Sequence, residues 1–260
     1  MSSVRDRARR AEEAGPEELG AFVLDTAPSV LRAVLGNRNA DENHALKIAS
    51  RRNVPSEILD DIAADKRWTE SLRIRRALAR NPKTPRHTAL AQLKFLSLFD
   101  LIEITNDHNV VAVIKQKVVD VVVERLPKQP IGIKKTVARK AAGVILRVLM
   151  ENDLPEVIQI CLDNPRLTEA EIYKILHREQ TAPSVPRLIA EHPKWSARYN
   201  VRIALVLNPN TPLASCLSFI KHYTLPDLKE LIADSRVHIS LKIRLKQELA
   251  RRKRREAGEA

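Results

Sequence analysis

The feature that most constrains this chain is a five-residue motif written twice. Asn81-Pro82-Lys83-Thr84-Pro85 returns as Asn208-Pro209-Asn210-Thr211-Pro212, 127 residues later. The same offset, carried outward without a gap, pairs Leu19 with Leu146, Pro28 with Pro155, Leu35 with Leu162 and Asn37 with Asn164. It also pairs Ile48 with Ile175, Arg75 with Arg202, Ala77 with Ala204, Asp100 with Asp227 and Asp107 with Asp234. About a quarter of the positions between 19 and 126 match the residue 127 further on, and the chain's only two tryptophans, Trp68 and Trp195, coincide. Self-similarity at a fixed spacing is the mark of a repeat architecture. Weaker repeats lie within each half: Arg52-Asn53-Val54-Pro55, Asn164-Pro165-Arg166-Leu167-Thr168 and His192-Pro193-Lys194-Trp195 all have the same break-then-helix form.

The motif is an instruction to stop one helix and start another. Ile74, Ala77 and Leu78 recur at helical spacing before it. Pro82 has no N–H and disfavours helical geometry at Asn81, which ends that helix. Thr84 is then expected to cap the next helix by accepting a bond from a free backbone N–H, with Pro85 at the first helical position. Thr84 and Thr211 also precede proline as phosphorylation sites would; at a helix boundary, capping is the expected role.

The run from Asn53 to Leu93 contains a Pro-x-x-x-Leu element, then Asp65-Lys66-Arg67-Trp68, then Ile74 through Pro85. It resembles leucine-rich repeat variant units, which are similar to HEAT-type α-solenoid repeats, and residues 192–220 resemble them too. The resemblance covers roughly a third of the chain. It implies an all-α fold: a HEAT-like, right-handed, curved stack of short antiparallel helices used for binding. Some members of that family carry a cysteine-ligated iron–sulfur cluster. This chain has only Cys161 and Cys216 and lacks that feature.

Helices are predicted at about 16–25, 28–36, 41–51, 56–64, 69–80, 86–95, 98–105 and 109–126, after a basic start over residues 1 to about 15. The second set falls at about 134–151, 155–162, 168–178, 184–191, 196–207, 213–222, 225–233 and 237–254. Pro127 through Gly132 separates two halves, 1–127 and 128–260. The valines of 110–123 have strand propensity, but the matching residues 237–250 read as an amphipathic helix. Val119, Val121 and Val123 become Lys246, Glu248 and Ala250. A helix inside a stack is apolar on several sides and a terminal one is not. The expectation is one continuous solenoid, with 109–126 buried at the junction and 237–254 as its cap.

The charge balance, 45 Lys and Arg against 32 Asp and Glu, leaves +13. That suits a polyanionic partner such as nucleic acid, an acidic protein or an anionic membrane surface, and is also compatible with plain solubility. No apolar run reaches transmembrane length, and no apolar stretch follows the first charges as in a secretory signal, so a cytoplasmic location is expected. Two cysteines do not make a disulfide framework. No phosphate loop, dinucleotide fingerprint, nucleophile elbow or His-Glu-x-x-His zinc motif occurs. No catalytic residue, metal or cofactor is expected.

Four groups of cations are the candidate nucleic-acid-binding residues. Lys115 and Lys117 align with Lys242 and Arg244, and repeated cations on equivalent helices would make a ladder that tracks phosphates. Lys134, Lys135, Arg139 and Lys140 lie near the junction. Arg73, Arg76 and Arg80 share a helix face that the second copy lacks. Arg251, Arg252 and Lys253, with Arg254 and Arg255, form the densest run, which also suits a helix C-terminus. Arg75 and Arg202 are expected to bridge to acidic residues in a neighbouring turn, and the tryptophans to anchor one repeat on the next. Three functions fit: a non-enzymatic binder of nucleic acid or nucleoprotein, a scaffold for an acidic protein, and an enzyme similar to HEAT-like DNA glycosylases. Aromatic residues at 3% disfavour the last.

Overall fold

A computed structural model describes residues 3–152, 154–178 and 181–256. The first two residues of the predicted basic start, and the four residues that follow the C-terminal basic run, lie outside these. All regular structure among the described residues is helical. The first ten helices are α1 (Val4–Glu13), α2 (Pro16–Phe22), α3 (Pro28–Gly36), α4 (Glu42–Ser50), α5 (Ser56–Ala64), α6 (Lys66–Thr69), α7 (Leu72–Arg80), α8 (Arg86–Leu93), α9 (Leu98–Asn106) and α10 (Ala112–Arg125). The next ten are α11 (Ile131–Lys140), α12 (Val144–Glu151), α13 (Pro155–Asp163), α14 (Glu169–Leu176), α15 (Ser184–Glu191), α16 (Pro193–Ser196), α17 (Tyr199–Leu207), α18 (Leu213–Phe219), α19 (Leu225–Ala233) and α20 (Ile239–Glu256). Paired in order, eight pairs start 127 residues apart and two start 128 apart.

The chain divides into two compact units, Met1–Arg125 and Leu126–Ala260. In the first, α3 packs between α1 and α5, α4 against α7, and α10 against α8 and α9. Leu31, Ile48, Ile58, Ile74 and Leu78 fill its interior. In the second, α13 packs between α11 and α15, α14 between α12 and α17, and α20 against α18 and α19. Ile158, Ile172, Ile189, Leu205 and Leu228 fill that interior. Each buried Leu or Ile side chain contributes about 1.5–3 kcal/mol relative to exposure.

Helix starts follow local chemistry. Proline stands in the first turn of α2, α3, α13 and α16, where no N–H is needed. Ser3, Ser97 and Thr224 close capping boxes with Asp6, Asp100 and Asp227.

Helix ends follow non-local chemistry, through a buried asparagine. The Asn37 Nδ2 donates to the carbonyls of Ala11 (2.9 Å), Glu12 (3.0 Å) and Ala14 (3.0 Å), at the end of α1. The Asn81 Nδ2 donates to Ala49 and Arg51, 2.6 and 2.7 Å away, at the end of α4. Asn164 does the same for Ala138 and Ala141 after α11, and Asn208 for Leu176 at the end of α14. In all four, Oδ1 accepts the backbone N–H two residues on, from Asn39, Lys83, Arg166 and Asn210. One carboxamide thus fixes its own turn and satisfies orphan carbonyls at the end of an earlier helix.

Thr84 does not cap. Pro85 takes the N-cap position of α8 with extended ψ, and no side chain bonds into that helix. Thr84 lies one residue outside, its Oγ1 buried without a partner, and Thr211 repeats this before α18. Both hydroxyls are shielded from a kinase in the folded protein.

Other expectations need correction. The predicted helix 134–151 is two helices, divided at Gly143, which holds φ +51°; only glycine adopts this readily. Arg75 donates to the Gln92 side chain at 3.0 Å and stacks on Phe95, and Arg202 donates to the Ser196 carbonyl. Neither pairs with an acid among the described residues. Ile114, Val118 and Val122 of α10 are buried, while Val119, Val121 and Val123 are half-buried and Val111 and Val113 exposed. The tryptophans, by contrast, are buried as packing anchors would be, and the Trp195 indole N–H donates to the Leu162 carbonyl at 2.9 Å.

Asn81→Asp removes both donors and sets a carboxylate against two carbonyls. Leaving buried acceptors unmet costs about 1–3 kcal/mol, so urea unfolding is expected to show a loss of at least about 2 kcal/mol. Thr84→Val replaces an unbonded hydroxyl with a methyl and is expected to be neutral or stabilising.

Candidate functional site

Within the first unit, α4, α7 and α9 frame a cleft of about 400 Å³. Four arginines line it: Arg52, after α4, and Arg73, Arg76 and Arg80 of α7. Leu46, Ala77 and Pro82 supply apolar surface, and Ser50, Asn81, Asp107 and Asn109 supply polar groups. The three α7 arginines are one and two turns apart, which puts their guanidinium groups on one side of the helix.

These arginines hold acids on both flanks. Arg73 meets Glu42 of α4 at 3.4 Å. Arg76 meets Asp100 at 3.1 Å and Glu103 at 3.7 Å on α9. Arg80 grips Asp107 at 2.6 Å and lies 3.9 Å from Glu103. Burial pushes the Asp107 carboxyl up, but the Asn109 N–H and the Arg80 guanidinium outweigh it, and the group titrates below its usual range. Exposed ion pairs contribute only about 0–1 kcal/mol. A guanidinium has five donors, so each arginine keeps donors beyond those an acid takes.

The second copy tests whether the fold requires these arginines. Its counterparts of Glu42, Asp100, Glu103 and Asp107 are Glu169, Asp227, Glu230 and Asp234, all unchanged in type. The counterparts of Arg73, Arg76 and Arg80 are Asn200, Ile203 and Leu207. Helices α14, α17 and α19 start at the corresponding residues all the same, and only α14 ends differently, one residue early. The frame and its acids stand without the guanidinium groups, so the arginines belong to the cleft rather than to the scaffold.

The remaining candidates fall in varied settings. Lys117 pairs with Asp120 of its own helix at 3.2 Å, and Lys115 is half-buried. Lys242 is half-buried, and Arg244 is exposed and bonds Gln247. Lys115 and Lys117 belong to one unit, Lys242 and Arg244 to the other. Lys134 is 8% exposed, Lys135 pairs with Glu156, and Arg139 and Lys140 are exposed. Arg251 and Arg252 both hold Glu248, at 2.8 and 2.6 Å, and lower its pKa. Arg252 also donates to the carbonyls of Ile220, Lys221 and Tyr223. Arg125, its counterpart 127 residues earlier, does the same for Lys94 and Leu96. Arg252 is therefore a helix-end cap; the repeated Arg125 was the signal for it in the sequence. Lys253 is exposed.

Charge is uneven between the units. Residues 1–125 carry 21 Lys and Arg against 18 Asp and Glu, a net +3. Residues 126–260 carry 24 against 14, a net +10. Helix α20 alone has eight cations against Glu248 and Glu256, a net +6 over 18 residues. Leu241 and Leu245 are buried, while Ile239 and Ile243, at 66% and 52% exposure, are open to solvent, as are Lys246 and Lys253.

Both cysteines are buried and unpaired, and burial pushes Cys161 up to about 12 and Cys216 to about 11, so neither supplies a thiolate. No three His, Cys, Asp or Glu side chains gather to hold a metal among the described residues. No described helix is long and apolar enough to cross a membrane. No protein-family model, curated protein or solved structure matches the chain.

Asp234 gives a pH test. Hydrogen bonds from Arg236 hold its carboxyl down at about 2, against about 3.9 in an unfolded chain. A depressed carboxyl stabilises fully above the unfolded value and loses that contribution as pH falls through the folded one. The melting-temperature gap between the protein and Asp234→Asn is expected to be widest above pH about 5 and to close towards pH about 2.

Proposed function

We propose that this chain is a non-enzymatic α-solenoid of HEAT-like, leucine-rich repeat variant type, right-handed, that binds nucleic acid or a nucleoprotein through cationic surfaces. One observation carries the reading: the charge excess is gathered, +10 on the second unit and +6 on α20. Evenly scattered cations would serve solubility. A helix that gathers eight cations against two acids suits a phosphate backbone. The four-arginine cleft of the first unit is a second place for anions. The buried thiols offer no nucleophile.

Binding of a random-sequence oligonucleotide is expected to weaken steeply with salt. If α20 neutralises about six phosphates, the log–log slope is about −4 on a single strand and about −5 on a duplex. Changing Lys242, Lys246, Lys253 and Arg254 together to Gln is expected to flatten the slope by about three. No binding at about 50 mM salt, or an unchanged slope in the variant, contradicts the proposal. Capture of an acidic protein that survives nuclease treatment would favour a scaffold instead.

A further inference from the structure

We infer that the arginine cleft of the first unit binds a phosphate monoester, the group carried by a free nucleotide or by the phosphorylated end of a strand. The inference deepens the reading above by naming the anion this cleft takes, and it does not depend on α20. The cavity, about 400 Å³, is of small-molecule size. Its described lining sets four arginines against one carboxylate, Asp107, a net +3. Glu42, Asp100 and Glu103 meet these arginines from outside the lining. Their pairings leave donors unused. Arg52 is exposed and pairs with no acid among the described residues. Arg73 donates to Glu42, and Arg76 to Asp100, through Nη1 alone. Each keeps Nε and Nη2, the edge that grips an oxyanion with two parallel bonds. The two residues stand about 4.5 Å apart along the helix axis, within reach of one phosphate group.

The second copy shows that folding does not ask for this charge. The counterparts of Arg52, Arg73, Arg76 and Arg80 are Glu179, Asn200, Ile203 and Leu207, so none of the four is retained. Leu46 and Ser50 become Tyr173 and His177, whose rings stack 3.8 Å apart. Asn81, Pro82 and Asp107 are retained, as Asn208, Pro209 and Asp234. Asp234 pairs with Arg236 of its own turn, at 2.6 Å, so an acid at this position does not need an arginine from the neighbouring helix. Nor is the cleft one patch of a generally basic surface, because the whole first unit carries only +3. Charge and donor count then choose the anion. A phosphodiester or a carboxylate offers one negative charge and two free oxygens. A monoester carries about −1.5 to −2 at neutral pH and three acceptor oxygens. Two free guanidinium edges and the whole of Arg52 match the larger set. Leu46, Ala77 and Pro82 give the organic part of the ester apolar surface.

The test titrates the full chain by calorimetry with adenosine monophosphate, its cyclic diester and adenosine, and by anisotropy with a labelled single strand whose end carries either a phosphate or a hydroxyl. The monoester is expected to bind about tenfold or more tightly than the diester, and adenosine not to bind. Arg52→Gln breaks no ion pair in the fold and is expected to weaken monoester binding about tenfold at an unchanged melting temperature. Arg73→Asn with Arg76→Ile writes the second copy's residues into the first and is expected to fold and to lose the monoester. A preference among the small probes alone assigns the cleft to free nucleotides; a preference for the phosphorylated strand assigns it to strand ends. Neither preference, or a preference that survives in Arg52→Gln, overturns the inference and leaves the nucleic-acid reading standing. If no strand binds while the monoester does, that reading falls and this one stands.

Discussion

The structure depends on a buried carboxamide at the end of a helix, reaching back to the end of an earlier helix two or three elements before it. A fold of many short helices has many termini, and each leaves carbonyls without intrahelical partners. Water satisfies them at a surface; between packed helices nothing does unless a side chain reaches in. Asn37, Asn81, Asn164 and Asn208 supply that reach, each buried and each bonded to carbonyls 23 to 32 residues away. Asparagine suits the place because it donates and accepts at once. Aspartate cannot donate, and where it replaces asparagine, at Asp107 and Asp234, the bond to the turn N–H remains and the carboxylate pairs with an arginine.

The duplication supplies an internal control. Positions retained in both copies are those that hold the frame: the asparagines, the prolines after helix breaks, the tryptophans, and the arginines at 125 and 252 that close helix ends. The groove residues are not retained. One copy sets four guanidinium groups around its cleft; the other sets a Tyr–His stack and apolar side chains in the same frame. The net charge follows the same division, small in the first unit and large in the second.

Most helix positions were legible from the sequence because proline and the 127-residue offset speak locally. The starts at Pro28, Pro155, Ser56 and Leu98 need only neighbouring residues to explain them. The errors have physical causes. Thr84 looked like a cap because Asn-Pro-x-Thr-Pro fits one, but Pro85 itself became the N-cap and moved the helix start by one residue. The working residue was Asn81, whose partners lie more than 30 positions away in part and cannot be read from its surroundings. The break at Gly143 hid in an apolar run, although Gly15-Pro16 marks the corresponding break in the first copy. The α7 arginines were visible as a stripe, but their acidic partners and the cleft between them required the packing of α4 and α9.

The most direct measurement is native-state hydrogen exchange at the backbone amides of Asn39, Lys83, Arg166 and Asn210. These amides sit in turns outside the helices, and the asparagine Oδ1 is what each one bonds. The account predicts exchange as slow as in the helices that flank each turn, opening only with the unit that contains it. Exchange at the rate of an open loop at all four would mean that the carboxamides do not hold the packed helices together.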